Sequence, residues 1–378
     1  MKMLRTCLVG TFAFSASVQA GHSEVPRVAT DIAPVTGLVA RVMEGVPGAE
    51  PVGQVVRAGA SPHGYAMRPS EAAFLEQADA VFWIGETLTP WLDGSIETLA
   101  PDARVVGLLD ADVTEVMEFR EGARFDHDGH GHGDEGHGHD HDEHAKDEHD
   151  HDHDEHAKDE HDHGHDEHAK DEHDHGDEEH AKDEHDHGHD EQAKEEGHGH
   201  EGHDHDHSGV DPHAWLDPDN GRAWLDVIAA ELSRLDPANA EIYEANAAAG
   251  KEEITAAEAD VRAMLEPRSG ARFVVFHDAY HYFEHHFGFP AAGAIADGDA
   301  ADPGPARLEE IRNLIADIGA TCALAEPSHN PGFVETVTDG TGARIGMVDP
   351  LGFEIEMGPG YYPALLRDMA ERLAECTS

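Results

Sequence analysis

Over residues 26–123 short apolar runs alternate with longer stretches of helical spacing. The runs at 28–30, 52–57, 80–85 and 104–109 predict strands, and the stretches at 35–44, 68–78 and 90–99 predict helices. Ala80-Val-Phe-Trp-Ile-Gly85 has no polar position, as expected of a strand buried on both faces. The alternation recurs near the C-terminus, with strands predicted at 272–276, 321–325 and 343–348 and helices at 306–318 and 362–375. Strands alternating with helices imply mostly parallel sheets, so the fold class is α/β in two blocks. Between the blocks, Asp217-Pro218 starts a helix that runs to 235, and Asp236-Pro237 starts another. Ala and Glu dominate 238–265 with almost no breaker, which predicts a rigid spacer on the order of 40 Å long at 1.5 Å per residue. The expected organisation is an N-terminal α/β domain over 24–235, a linker helix over 236–267 and a C-terminal α/β domain over 268–378.

The first twenty residues stand outside this pattern. Lys2 and Arg5 precede an apolar stretch over 7–18, and Val18-Gln19-Ala20 is a small-residue cleavage site. That order predicts a secretory signal peptide over 1–20, removed to leave a soluble periplasmic product. The stretch is too short to span a bilayer, and Cys7 is poorly placed for lipid attachment. The remaining cysteines, Cys322 and Cys376, are an even pair in an oxidising compartment and are expected to be bridged.

Residues 126–207 change character again. They hold 26 of the 34 histidines, 34 acidic side chains and five lysines, a formal charge of −29 out of the chain's −55. The unit beginning His144-Ala-Lys-Asp-Glu-His-Asp-His restarts at His156, His168 and His180, with Lys146, Lys158, Lys170, Lys182 and Lys194 twelve apart. Almost no apolar surface is available to offset the entropy of ordering, so the insert is expected to be a disordered loop. Neutral imidazoles bind borderline divalent ions, and many similar sites would bind them weakly and with little selectivity. The negative charge argues against nucleic acid or an anionic membrane surface as partner.

In open α/β sheets ligands bind at the carboxyl ends of strands. His63 follows the 52–57 strand, His277 ends the 272–276 strand, Glu326 follows 321–325 and Asp349 follows 343–348. His213 lies in Asp211-Pro-His-Ala-Trp-Leu-Asp217, a turn into a helix. Residue chemistry alone reads this as an exported metal-handling protein and ranks the ligands only loosely. His281 and His285 read as surface positions, His329 as a loop residue near the rim of the cleft, and Trp215, Tyr280 and Phe283 as packing.

The segments Ala60-Ser-Pro-His-Gly-Tyr-Ala-Met-Arg-Pro-Ser70, Asp211-Pro-His-Ala-Trp-Leu216, Val275-Phe-His-Asp-Ala-Tyr280, Ala323-Leu-Ala-Glu-Pro327 and Val348-Asp-Pro-Leu-Gly352 occur together with the Cys322 and Cys376 pair. As a set they resemble the metal receptors of bacterial ABC transporters (cluster A-I), specifically the high-affinity zinc-uptake branch, over nearly the whole mature chain. The resemblance implies two Rossmann-like (β/α) domains joined by one long rigid helix, with Zn²⁺ in the interdomain cleft. It carries over His63, His213 and His277 as ligands and Asp349 as the fourth, a water being the rival. Glu326 is expected beside the site or at the domain interface. Some zinc-uptake members place Glu before the first histidine, where this chain has Pro62; relatives selective for manganese place a carboxylate where His277 stands. The implied role is capture of Zn²⁺ for a permease and its ATPase by a monomer, with further weak zinc in the insert. Three other readings stay open at this point: a zinc hydrolase, although no His-Glu-x-x-His motif occurs, a metal buffer built on the repeats and, more remotely, an adhesin-like role, since relatives of the fold occur on cell surfaces.

Overall fold

Each helix-strand alternation in the sequence folds as a separate parallel sheet. The computed structural model describes residues 25–120, 122–125, 209–296, 298 and 302–378. The predicted signal peptide and the 126–207 insert lie outside the described residues. The first sheet takes β1 (Val28–Thr30), β2 (Gly53–Gln54), β3 (Ala80–Trp83) and β4 (Arg104–Gly107) in the order β2-β1-β3-β4, with Ala29 opposite both Gly53 and Val81. Its crossovers are α1 (Ala33–Val42), α2 (Pro69–Glu76) and α3 (Pro90–Leu99). The apolar run at 52–57 forms a ladder only at β2, but Val55 and Val56 still donate to Thr30 and Asp31, so it continues alongside β1 before turning away.

Two long helices follow, α4 (Pro218–Leu235) and α5 (Ala240–Leu265). Asp217 caps α4 by accepting from the Asp219 amide at 2.8 Å, and Pro218 takes the first helical position, where no amide partner is needed. The 26 residues of α5 make a rod of about 39 Å. It buries Tyr243, Ala247, Gly250, Ile254, Ala257, Val261 and Leu265, a single stripe at spacings of three and four. At Gly250 a Cβ would come within 2.9 Å of Leu225, so the glycine lets α4 approach. The same helix joins both halves: Arg41 of α1 bonds Glu253, and Asp260 takes Arg367 of α9 (Tyr361–Cys376).

The second sheet has the order β5-β6-β7, all parallel, from β5 (Phe273–Val274), β6 (Cys322–Ala325) and β7 (Arg344–Met347). Around it stand α6 (His281–Phe287), α7 (Pro305–Ile318) and α8 (Pro331–Thr338). The bonded pair Cys322–Cys376 ties β6 to α9. The chain preceding the insert crosses to this half: Arg124 bridges Gly293, and Phe125 donates to Ala292 at 3.0 Å. No helix among the described residues is long and apolar enough to cross a membrane.

Candidate metal centre

Three loops at strand or helix ends bring the expected histidines together. Gly59 takes a φ of +81°, open to glycine at little strain, in the turn that leads from β2 to Pro62 and His63. The Trp91 indole donates to the Pro62 carbonyl at 2.8 Å and pins the loop against α3. His213 enters the short 3₁₀ turn Ala214–Leu216 ahead of α4 and is 1% exposed. Asp211 Oδ1 accepts its backbone N–H at 3.0 Å and its ring Nδ1–H at 2.7 Å. His277 leaves the end of the β5 run and sets Nδ1 2.8 Å from Oε1 of Glu326, at the end of β6.

The ring centroids of His63, His213 and His277 are 5.5, 6.4 and 5.4 Å apart pairwise, and one ligand atom from each lies within 4.8 Å of the others. A zinc ion bonds imidazole nitrogen at about 2.0–2.1 Å, so tetrahedral neighbours stand about 3.4 Å apart. Closing that difference takes side-chain adjustments of about 1 Å, well within rotamer freedom. Two of the rings have a carboxylate on Nδ1, which fixes the Nδ1–H tautomer and puts the lone pair on Nε2. Among the charges, the Glu326 carboxyl is decisive. Burial alone would raise it, but His277 and His329 outweigh that and hold it down to about 2, so it stays an anion. Burial raises the Asp211 carboxyl, with His213 opposing.

The cavity at the cluster is about 20 Å³, bounded by the three histidines with Pro62, Trp215 and Leu351. It has room for little more than a water or a bare cation, whereas sites for organic ligands run to roughly 300–1,000 Å³.

Asp349 is arranged differently. Its oxygens accept from the amides of Leu351 at 2.9 Å and Phe353 at 2.6 Å, closing the loop after β7, and it is not among the groups within 4.8 Å of the three rings. His281, expected at the surface, is half-buried with Nδ1 4.0 Å from Asp211 Oδ2; burial and then Arg120 push it down to about 4. It lies inside because α6 turns its first residue toward the Asp211 loop; His285, one turn later, is exposed as expected.

Two contributors, Asp211 and Arg120, escaped the sequence reading, and a third, His329, was placed near the cleft rim without a role. Asp211 was visible only as part of a segment. Arg120 grips Asp278, next to His277, at 3.0 Å, and Glu284 of α6 at 2.6 Å. His329 lines the cavity, its ring 5.1 Å from that of His277. An Asx residue two before a candidate ligand is the one local signal that could have found Asp211; Arg120 and His329 depend on tertiary placement.

Two parallel α/β sheets joined by a long helix, with an imidazole cluster of cation size at their strand ends, define a two-lobed ion-binding protein. Residues 28–376 match the family described as ZnuA, zinc-uptake complex component A, periplasmic, and the chain belongs to that family. It is 42% identical over 370 residues to the high-affinity zinc uptake system protein ZnuA of Paracoccus denitrificans, covering 98% of this chain and 97% of that one. The protein of the same description from Brucella suis is 40% identical over 365 residues, covering 97% and 95%. Among solved structures, a crystal structure of ZnuA aligns with a TM-score of 0.63 at 17% identity, over 94% of this chain and 100% of that one. The solute-binding protein FpvC of Pseudomonas aeruginosa in complex with Mn²⁺ aligns equally well, at 0.63 and 17%, over 94% and 99%. These two likenesses establish the fold.

Proposed function

We propose that this chain is exported by its N-terminal signal peptide, captures Zn²⁺ in the periplasm as a monomer, and delivers it to the permease and ATPase of an ABC importer. His63, His213 and His277 hold the ion through nitrogen. Asp349 or a water completes the tetrahedron; each Asp349 oxygen already accepts one amide of the 349–353 loop and keeps a further lone pair. The observation that carries the reading is the convergence of three imidazoles, two of them fixed by buried carboxylates, on a cavity sized for one cation. Imidazole donors suit zinc better than manganese or magnesium. The domain organisation expected from sequence, with lobes over 24–235 and 268–378 around a 236–267 helix, fits an ion held between two lobes. The 126–207 insert serves as a weak accessory store or sensor in addition to the tight site.

Competition titration of zinc against a chelator tests this on the full chain and on His63→Ala, His213→Ala and His277→Ala. The receptor reading expects each variant to lose the tightest site and keep the weak sites of the insert. A metal buffer built on the repeats would keep nearly all its binding in all three. A hydrolase reading has less support, since a cavity of about 20 Å³ leaves no room for an organic substrate beside the metal.

A further inference from the structure

A second set of ligand atoms borders the first. His277, Glu326 and His329 also each offer one within 4.8 Å of the others. Glu326 forks between the two imidazoles, with Oε1 2.8 Å from Nδ1 of His277 and Oε2 3.5 Å from Nδ1 of His329. His329 stands on the loop between β6 and α8, its ring 4.4 Å from that of Phe276 and Nδ1 3.0 Å from the Ser328 hydroxyl. Its side chain is 17% exposed while that of Glu326 is 1% exposed, so the set runs from solvent to the buried carboxylate.

We propose that Glu326, His329 and Nδ1 of His277 form a transit site, which Zn²⁺ occupies on its way into and out of the three-histidine cluster. The inference rests on the receptor reading above. Two nitrogens and a carboxylate oxygen are an ordinary zinc donor set, with water completing it. The His277 ring is common to both sets: as the Nδ1–H tautomer it offers Nε2 inward, and with that proton moved to Nε2 it offers Nδ1 outward. The carboxylate that orients this ring for the inner site is itself a ligand in the outer one, so the two sites exclude each other and one ion steps between them. Because Nδ1 and Nε2 project from different edges of the ring, the ion releases one set before it closes on the other, with water filling the vacated positions in between.

A transit ligand has a kinetic signature. Loss of a group that stabilises only an intermediate and its flanking barriers slows both directions and leaves the end states alone. The test is stopped-flow zinc uptake, and zinc release to excess chelator, on the full chain, reading the slow phase of the tight site. The variants are His329→Gln and His329→Phe; the second keeps a ring on Phe276 but no nitrogen, and serves if the first disturbs the loop. In both, association and dissociation should slow together by about ten-fold, beyond any smaller change in equilibrium affinity that follows from removing His329 beside Glu326. Faster dissociation with weakened affinity would make His329 a positioning residue for Glu326 and overturn the transit site, and so would unchanged rates. His63→Ala separates the two proposals. If it still binds zinc tightly the receptor reading falls; if it loses tight binding while the His329 variants keep wild-type rates, only the transit site falls.

Discussion

Asp211 holds His213 twice through one oxygen, accepting the backbone N–H at 3.0 Å and the ring Nδ1–H at 2.7 Å. With the two residues only two positions apart, the loop that delivers the candidate ligand also delivers the group that orients it. Asp211→Asn keeps an acceptor but removes the charge that makes the imidazole a better donor. Zinc affinity should fall about ten-fold, the lower end of what losing such a partner does. A chelator-competition titration reads the loss, and an unchanged melting temperature shows that the fold is intact.

Glu326 performs the same service for His277 from the neighbouring strand of the same sheet. The partner here comes from a different strand, and the carboxyl is held far below its ordinary range. Glu326→Gln should weaken zinc binding by about 10–100-fold. Calorimetry of the metal-free protein should give a smaller change for Glu326→Gln than for Glu326→Ala, which leaves the His277 N–H buried without an acceptor.

The Cys322–Cys376 bond closes a loop with a sequence separation of 54. Chain entropy puts its contribution at about 4 kcal/mol. Cys322→Ala combined with Cys376→Ala should lower the midpoint of urea unfolding accordingly, with the zinc affinity of the surviving folded protein unchanged, because the bond ties β6 to α9 away from the cluster.

His286 lies between carboxylates on two helices, Nδ1 2.9 Å from Asp217 and Nε2 3.1 Å from Glu258. Burial opposes the charged ring, but Asp217 and Glu258 outweigh it and raise the imidazole above its ordinary 6.5. A raised folded-state value means stability that is fully present below about pH 6.5 and lost as the pH climbs through the raised value. The metal-free protein should therefore lose more stability between about pH 6 and pH 9 than His286→Gln does, measured by urea midpoints across that range. Parallel curves for the two proteins would contradict this.

Much of the architecture was legible because its punctuation is local. The expected ends of α3 and α4 match the structure to the residue, since Pro90 and Pro218 open them and Asp217 supplies a cap. Helix α8 was missed although Asn330-Pro331 announces it, with Asn330 accepting from Gly332 at 3.0 Å; eight residues carry too little periodicity to stand out from a loop. The strands proved shorter than their apolar runs, because β2 and β5 leave the ladder after two residues while their neighbours stay buried. At the site, the three histidines were legible through segments of chain that resemble a family. The roles of Asp211, Arg120 and His329 were not, since each depends on how a loop folds against an element far away in sequence.

Diffraction from zinc-loaded crystals collected on either side of the zinc absorption edge tests the central claim most directly. A single strong anomalous peak among the described residues, about 2.1 Å from one nitrogen each of His63, His213 and His277, is the predicted result. A peak elsewhere, or three rings that stay too far apart to share the ion, would contradict it.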